Sequence, residues 1–224
     1  GLVISEPLRE RLAQVVDAGE ERLRGVLGPA GCGKSTLLAT LIRPGWVDTL
    51  PIKAEYVTAA IFLDVTSSME SFTAELAQQL GSRLDGFKAA TRMVEFDLAE
   101  QDSRGLDLFE IRILQPLARL RSSKPVHILV DGLDQPKRGS RALLSYAVAE
   151  LTRRPQLGHV HLIVGIREGT GIENSPRLTH MRRIELPAPT TPDIANTVAA
   201  ARGHTAHTNW REWIDGLLHQ TPTG

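Results

Sequence analysis

Gly28-Pro29-Ala30-Gly31-Cys32-Gly33-Lys34-Ser35 lies between two apolar segments, Leu23-Arg24-Gly25-Val26-Leu27 before it and a run carrying Leu37, Leu38 and Leu41 after it. The first segment is short and continuous, as in a buried strand. The second has helical spacing and reads as a helix from Lys34 to Ile42, with Pro44 and Gly45 as its stop. A G-x-x-x-x-G-K-[ST] stretch at a strand-to-helix junction has a direct physical use. Its glycines let the backbone curl until several N–H groups face one point. The helix that opens there turns the positive end of its dipole to the same point. Lys34 adds a full positive charge and Ser35 a hydroxyl. A nucleoside triphosphate with magnesium fits such a cradle, with Lys34 between the β- and γ-phosphates and Ser35 on the metal. The expected nucleotide contacts are Gly28, Pro29, Ala30, Gly31, Cys32, Gly33, Lys34, Ser35 and Thr36. Cys32 has two readings: a reactive thiol beside the phosphates, or a loop position whose side chain points away from them.

Working outward, short apolar runs alternate with amphipathic ones, a pattern that predicts a parallel sheet covered by helices. Val57 to Val65 reads as a strand buried on both faces. Ser67-Ser68-Met69-Glu70 resembles a capping box, opening a helix with Phe72, Leu76, Leu80 and Leu84 on one face. Residues 85–105 show only weak helical periodicity. From Leu106 a helix resumes, and Pro116 is expected to kink it. Val126-His127-Ile128-Leu129-Val130 is a strand ending in Asp131. In open α/β sheets ligands gather at the carboxyl ends of the strands, so Asp131 is placed to hold the magnesium shell opposite Ser35. Asp134 is the nearest acid beyond it, either orienting the attacking water or capping the next turn. A helix with Leu143, Leu144, Ala147, Val148 and Leu151 inward follows, then strands over Val160 to Ile166 and Arg182 to Leu186.

Composition narrows the class. The 224 residues carry 26 basic and 26 acidic side chains, 42% hydrophobic residues and one cysteine. Balanced charge gives no indication of nucleic acid or an anionic membrane as partner. A single cysteine makes no internal disulfide and fits a reducing cytoplasm. The longest apolar stretches, about seven residues, fall short of the ~20 needed to span a bilayer. Pro187, Pro189 and Pro192 mark a linker. Thr190 is a cap, and Trp210, Trp213, Ile214 and Leu217 line a last helix. The division expected is 1–187 as a nucleotide-binding domain and 188–224 as the beginning of a helical lid, cut from a longer protein.

Taken together, GPAGCGKST (Gly28 to Thr36), ILVDGLDQ (Ile128 to Gln135) and LIVGIRE (Leu162 to Glu168) resemble the signal-transduction ATPases with numerous domains, the NACHT and NB-ARC relatives of the AAA+ class. The resemblance implies a P-loop NTPase fold, a three-layer αβα sandwich with a five-stranded parallel sheet in the order 5-1-4-3-2. It also implies that Arg167 senses the γ-phosphate, although Glu168 could pair with it instead. It assigns the base contact to the stretch before Leu23, where Val3 and Ile4 are candidates. Where relatives often carry D-G-x-D-E, Gln135 replaces the last acid. Lys34, Asp134 and Arg167 are thus the candidate catalytic residues, with Ser35 and Asp131 the candidate metal ligands.

The absence of an Asn/Thr-Lys-x-Asp motif favours ATP over GTP. The leading expectation is an ATP-dependent signalling switch with slow hydrolysis, self-associating and working with flanking sensor and effector domains. The alternative is an AAA+ motor or loader acting on nucleic acid or protein, with Arg138 or Arg141 donated to a neighbouring subunit. A small-molecule kinase fits the D-G-L-D step poorly.

Overall fold

A computed structural model of the chain describes residues 6–17, 19, 21–42, 52–53, 55–100, 107–120 and 124–188. Val3, Ile4, the Pro44-Gly45 stop, Thr190 and the Trp210–Leu217 helix, with nearly all of the expected lid, lie outside the described residues.

Five parallel strands form the sheet: β1 Leu23–Gly28, β2 Ala59–Phe62, β3 Val126–Asp131, β4 Val160–Arg167 and β5 Arg182–Glu185. Their order is β2-β3-β4-β1-β5, the expected 5-1-4-3-2 read from the other edge. Alternation along each strand divides the core in two. Val26, Leu129, Ile163 and Ile184 face α1 (Glu6–Val16) and α2 (Lys34–Ile42). Leu27, Ile128, Val130, Leu162 and Val164 face α3 (Met69–Arg83) and α6 (Arg138–Arg153). The result is a three-layer αβα sandwich.

Several local expectations change. β2 spans four residues rather than nine and lies at a sheet edge, with Phe62 54% exposed. Asp64 ends it by heading a turn: the Thr66 and Ser67 amides both donate to its Oδ1, at 2.7 and 3.0 Å. Bonds from Thr66 and then Ser67 hold the Asp64 carboxyl below its ordinary range, so this acid belongs to the turn. With Ser67 occupied there, the capping box forms one residue later. Ser68 Oγ accepts from the Ser71 amide at 3.1 Å, and Ser71 Oγ from the Ser68 amide at 3.0 Å. The open edge of β2 is sealed by Gln79. Its Oε1 accepts from the Ala60 amide and its Nε2 donates to the Ala60 carbonyl, both at 2.8 Å.

The weakly periodic stretch contains a full helix, α4 (Phe87–Glu100), which buries only Phe87, Ala90 and Val94 of its longer apolar set. Met93 and Phe96 point outward, which blurs the stripe. The expected kink at Pro116 takes the form of a π-turn over Glu110–Leu114, ahead of α5 (Gln115–Arg119). Pro116 has no N–H to give Arg112, and the Gln115 amide reaches five residues back to the Glu110 carbonyl. In α6 Leu143 is 54% exposed, so the inward face is Leu144, Ala147, Val148 and Leu151. Among the described residues no helix is long and apolar enough to cross a membrane.

Candidate nucleotide-binding site

The strand order brings three functional segments side by side. β3 ends in Asp131, β4 in Arg167, and β1 in Gly28, where the glycine loop begins. Gly28 stands in register with Arg167, and the Glu168 amide donates to the Gly28 carbonyl at 3.1 Å. The loop then turns through Gly31 (φ +77°) and Gly33 (φ +90°), left-handed conformations that side-chain-bearing residues rarely adopt. α2 starts at Lys34 with its unpaired amides toward the loop's mouth.

A cleft of about 470 Å³ opens there, lined by Ala30, Gly31, Gly33, Lys34, Ser35 and Thr36 from the loop and helix. Asp131, Gly132, Asp134, Gln135 and Arg167 come from the ends of β3 and β4, and Phe62 and Leu63 from β2. Of the nine expected nucleotide contacts, Gly28, Pro29 and Cys32 do not line it. A Cβ on Gly28 would lie 2.6 Å from the Cys32 sulfur and 2.7 Å from the Leu186 carbonyl, so both residues pack inward. The Cys32 side chain is buried with Val26, Leu37 and Leu186 and does not line the cleft, and its sulfur lies 3.6 Å from Lys34 Nζ. Pro29 faces a second cavity of about 290 Å³ on the other flank of the loop, with Arg11, Glu168 and Glu185.

Lys34 Nζ donates to the Gly28 and Pro29 carbonyls, both at 2.8 Å, so the ammonium is held across the base of the loop. Ser35 Oγ donates to Asp131 Oδ2 at 2.8 Å, and the Gly132 amide to Asp131 Oδ1 at 2.9 Å. β4 makes room for that carboxylate with Gly165, where a Cβ would fall 2.0 Å from Asp131 Oδ1. A hydroxyl and a carboxylate that already touch, beside an ammonium, suit a hard divalent cation with a phosphate chain, so the residues present fit magnesium.

Asp134 and Arg167 also meet, in a way the sequence does not reveal. Asp134 Oδ1 accepts from the Arg167 amide at 2.8 Å. Its Oδ2 accepts from Gln135 Nε2 at 3.2 Å and lies 3.9 Å from Arg167 Nε. The Asp134 side chain is 5% exposed and the Arg167 side chain 49%, so the acid is enclosed while the guanidinium reaches the cleft. The acid at ion-pair distance from Arg167 is Asp134, not Glu168. Gln135, read from sequence only as a missing acid, is exposed and lines the cleft.

His127 and His161 sit near the starts of β3 and β4, at the opposite end of the strands from the cleft. Tyr56 stacks on His127 at 4.2 Å between ring centroids, and His161 lies 5.4 Å away. Burial first, then the charges of Arg24 and His161, push the His127 pKa down to about 4.

A parallel sheet in this order, a glycine loop between β1 and α2, and an acid at the end of β3 define the P-loop class of nucleotide-binding folds. Residues 2–164 match the AAA ATPase domain family, and the chain belongs to that family. It is accordingly an AAA-type ATPase domain, whose class of reaction is hydrolysis of a nucleoside triphosphate and whose family binds ATP with magnesium. No curated protein matches the chain in sequence.

Proposed function

We propose that the cleft holds Mg-ATP and that the domain works as a slow, nucleotide-dependent switch of the NACHT and NB-ARC type within a larger signalling protein. The observation that carries slow turnover is the closure of Asp134: both its oxygens are engaged within the fold, and Gly132 stands where many ATPases place an acid. Asp134 lines the cleft with both oxygens already accepting hydrogen bonds, which makes it a weaker base toward water, so hydrolysis is slow and the bound state long-lived.

In this reading the amides of Gly31 to Ser35 receive the phosphate chain, and Lys34 exchanges its loop carbonyls for β- and γ-oxygens. Ser35 and Asp131 would hold the magnesium ion, which when bound would neutralise charge on the phosphate oxygens. Arg167 presents its guanidinium to the terminal phosphate, where planar N–H pairs match two oxygens at once. The base lies on the Pro29 flank of the loop, toward α1 and the cavity beside Arg11. Nucleotide then couples the sheet domain to the lid, self-association and flanking domains. A motor or loader needs an arginine donated between subunits. Arg141 is spent on the Pro136 carbonyl at 3.1 and 3.0 Å, which leaves exposed Arg138 for that role.

Replacing Lys34 with Ala removes charge-assisted hydrogen bonds and should weaken ATP binding by roughly 10–100-fold. Affinity that survives the change sinks the site assignment. Retention of ATP with negligible steady-state turnover supports the switch, whereas turnover above about 1 s⁻¹ supports the motor.

A further inference from the structure

We propose that Gln135 orients the water that attacks the terminal phosphate, and that Asp134 is a positioning residue that aims Gln135 and Arg167. The proposal rests on the reading of the cleft as a Mg-ATP site.

The turn after β3 separates the two side chains. Gly132 sits at φ +74°, and a Cβ there would meet the Leu63 carbonyl oxygen at 2.7 Å. Only glycine passes this point, and the Gln135 amide closes the turn onto the Gly132 carbonyl at 2.8 Å. The Leu133 amide donates to the Gly165 carbonyl at 3.1 Å, which fastens the turn to β4. Both side chains line the cleft, but Asp134 is almost fully enclosed and bonded under the end of β4, whereas Gln135 is exposed to it.

The hydrogen bonding fixes which end of the glutamine amide is available. Asp134 accepts through both oxygens, Oδ1 from the Arg167 amide and Oδ2 from Gln135 Nε2, so the glutamine turns its NH2 toward the acid. Oε1 then has no partner among the described residues and is the free acceptor at the cleft. A water that donates one O–H to Oε1 has its lone pair turned toward phosphorus. An amide can orient water in this way without taking its proton. The water oxygen bonds to the terminal phosphorus, and the bond from phosphorus to the bridging oxygen of the leaving diphosphate breaks. The water proton passes to an oxygen of the released phosphate, giving ADP and dihydrogen phosphate.

The same carboxylate tethers Arg167 through its backbone amide, and the next amide, Glu168, is fixed to Gly28. Asp134 therefore links the water-orienting side chain, the guanidinium and the root of the glycine loop.

The test uses the whole chain and two readouts: Mg-dependent binding of a fluorescent ATP analogue, and single-turnover phosphate release across pH. Gln135→Ala should keep analogue affinity and slow release on the order of 10–100-fold. Gln135→Glu should give a pH profile with a new acid limb, because the introduced carboxyl must ionise to accept the water proton. Asp134→Asn keeps an acceptor for the Arg167 amide but sets an NH2 against Gln135, which then turns Oε1 toward it and away from the cleft, so this variant should keep analogue binding and slow release about as much as Gln135→Ala. Release that is unchanged in Gln135→Ala but abolished in Asp134→Asn makes Asp134 the water-orienting group and overturns the proposal. So does a wild-type chain that binds the analogue and releases no phosphate over a day of incubation. Failure of the wild type to bind the analogue removes the Mg-ATP reading itself, and this inference with it.

Discussion

Gly165→Ala tests the metal site from behind. The added Cβ would lie 2.0 Å from Asp131 Oδ1, 3.1 Å from its Cγ and 2.8 Å from Leu38 Cδ1. Non-bonded heavy atoms settle near ~3.5 Å, so the carboxylate must retreat by more than about 1 Å. Leu38, on α2, blocks relief on that side because it is fully buried. The retreat breaks the bonds from Ser35 Oγ at 2.8 Å and from the Gly132 amide at 2.9 Å. Overpacking of this kind costs about 1–3 kcal/mol of stability. Misdirecting a ligand by its support typically weakens metal affinity about 10–100-fold. The loop amides and Lys34 are untouched, so binding of a fluorescent ATP analogue in EDTA should barely change, while the gain on adding magnesium should collapse. Val164→Ala supplies the control. Val164 is fully buried on the opposite face of β4, so the change costs a comparable roughly 1–2 kcal/mol and should leave the magnesium effect alone. If Gly165→Ala keeps magnesium-dependent affinity within about twofold of wild type, the expected loss is absent and Asp131 is not the metal ligand.

Two more predictions concern the fold. His127, ordinarily titrating near 6.5, is pushed down to about 4 among Tyr56, Arg24 and His161. A lowered histidine pKa contributes stability that is full above the unfolded value and lost as pH falls through the window from 6.5 toward 4. Urea midpoints should therefore drop by the equivalent of about 2 kcal/mol between roughly pH 7 and 4.5, and His127→Phe should flatten that slope. Gln79→Ala leaves the Ala60 amide and carbonyl open on the β2 edge. It should cost about 1 kcal/mol in thermal unfolding and raise light scattering near the midpoint, because an unsealed edge pairs with other chains. Unchanged scattering would show that the edge is guarded by something else.

What could be read from the chain depended on how local the physics was. The loop from Gly28 to Ser35 was legible because its spacing alone fixes glycines, charge and helix start. Asp131 was legible because five consecutive strand residues led to it. The strand order came from resemblance rather than from any local signal. α1 carries little signal in sequence: Leu12 and Val15 are fully buried, but charged Arg9, Glu10 and Arg11 precede them and hide the stripe. α4 was obscured by Met93 and Phe96 on its outer side. The capping box fell one residue off because Ser67 and Ser68 compete for the same start, and Asp64 decides between them from three residues upstream.

Asp134 and Gln135 show why site chemistry is harder to read than site location. An acid three residues past Asp131 looks free in a sequence, and a glutamine beside it looks inert. The strand order decides otherwise. Because β4 lies between β3 and β1, its last residue brings a backbone amide over the turn that follows β3, and that amide takes Asp134. One oxygen accepts from the Arg167 amide, the other from Gln135 Nε2, and Gln135 itself lines the cleft. The surroundings of two adjacent residues are thus set by a bond that crosses 33 positions of sequence. A β4 that ended one residue earlier would leave Asp134 open and make the same D-G-L-D-Q sequence a site with a free base.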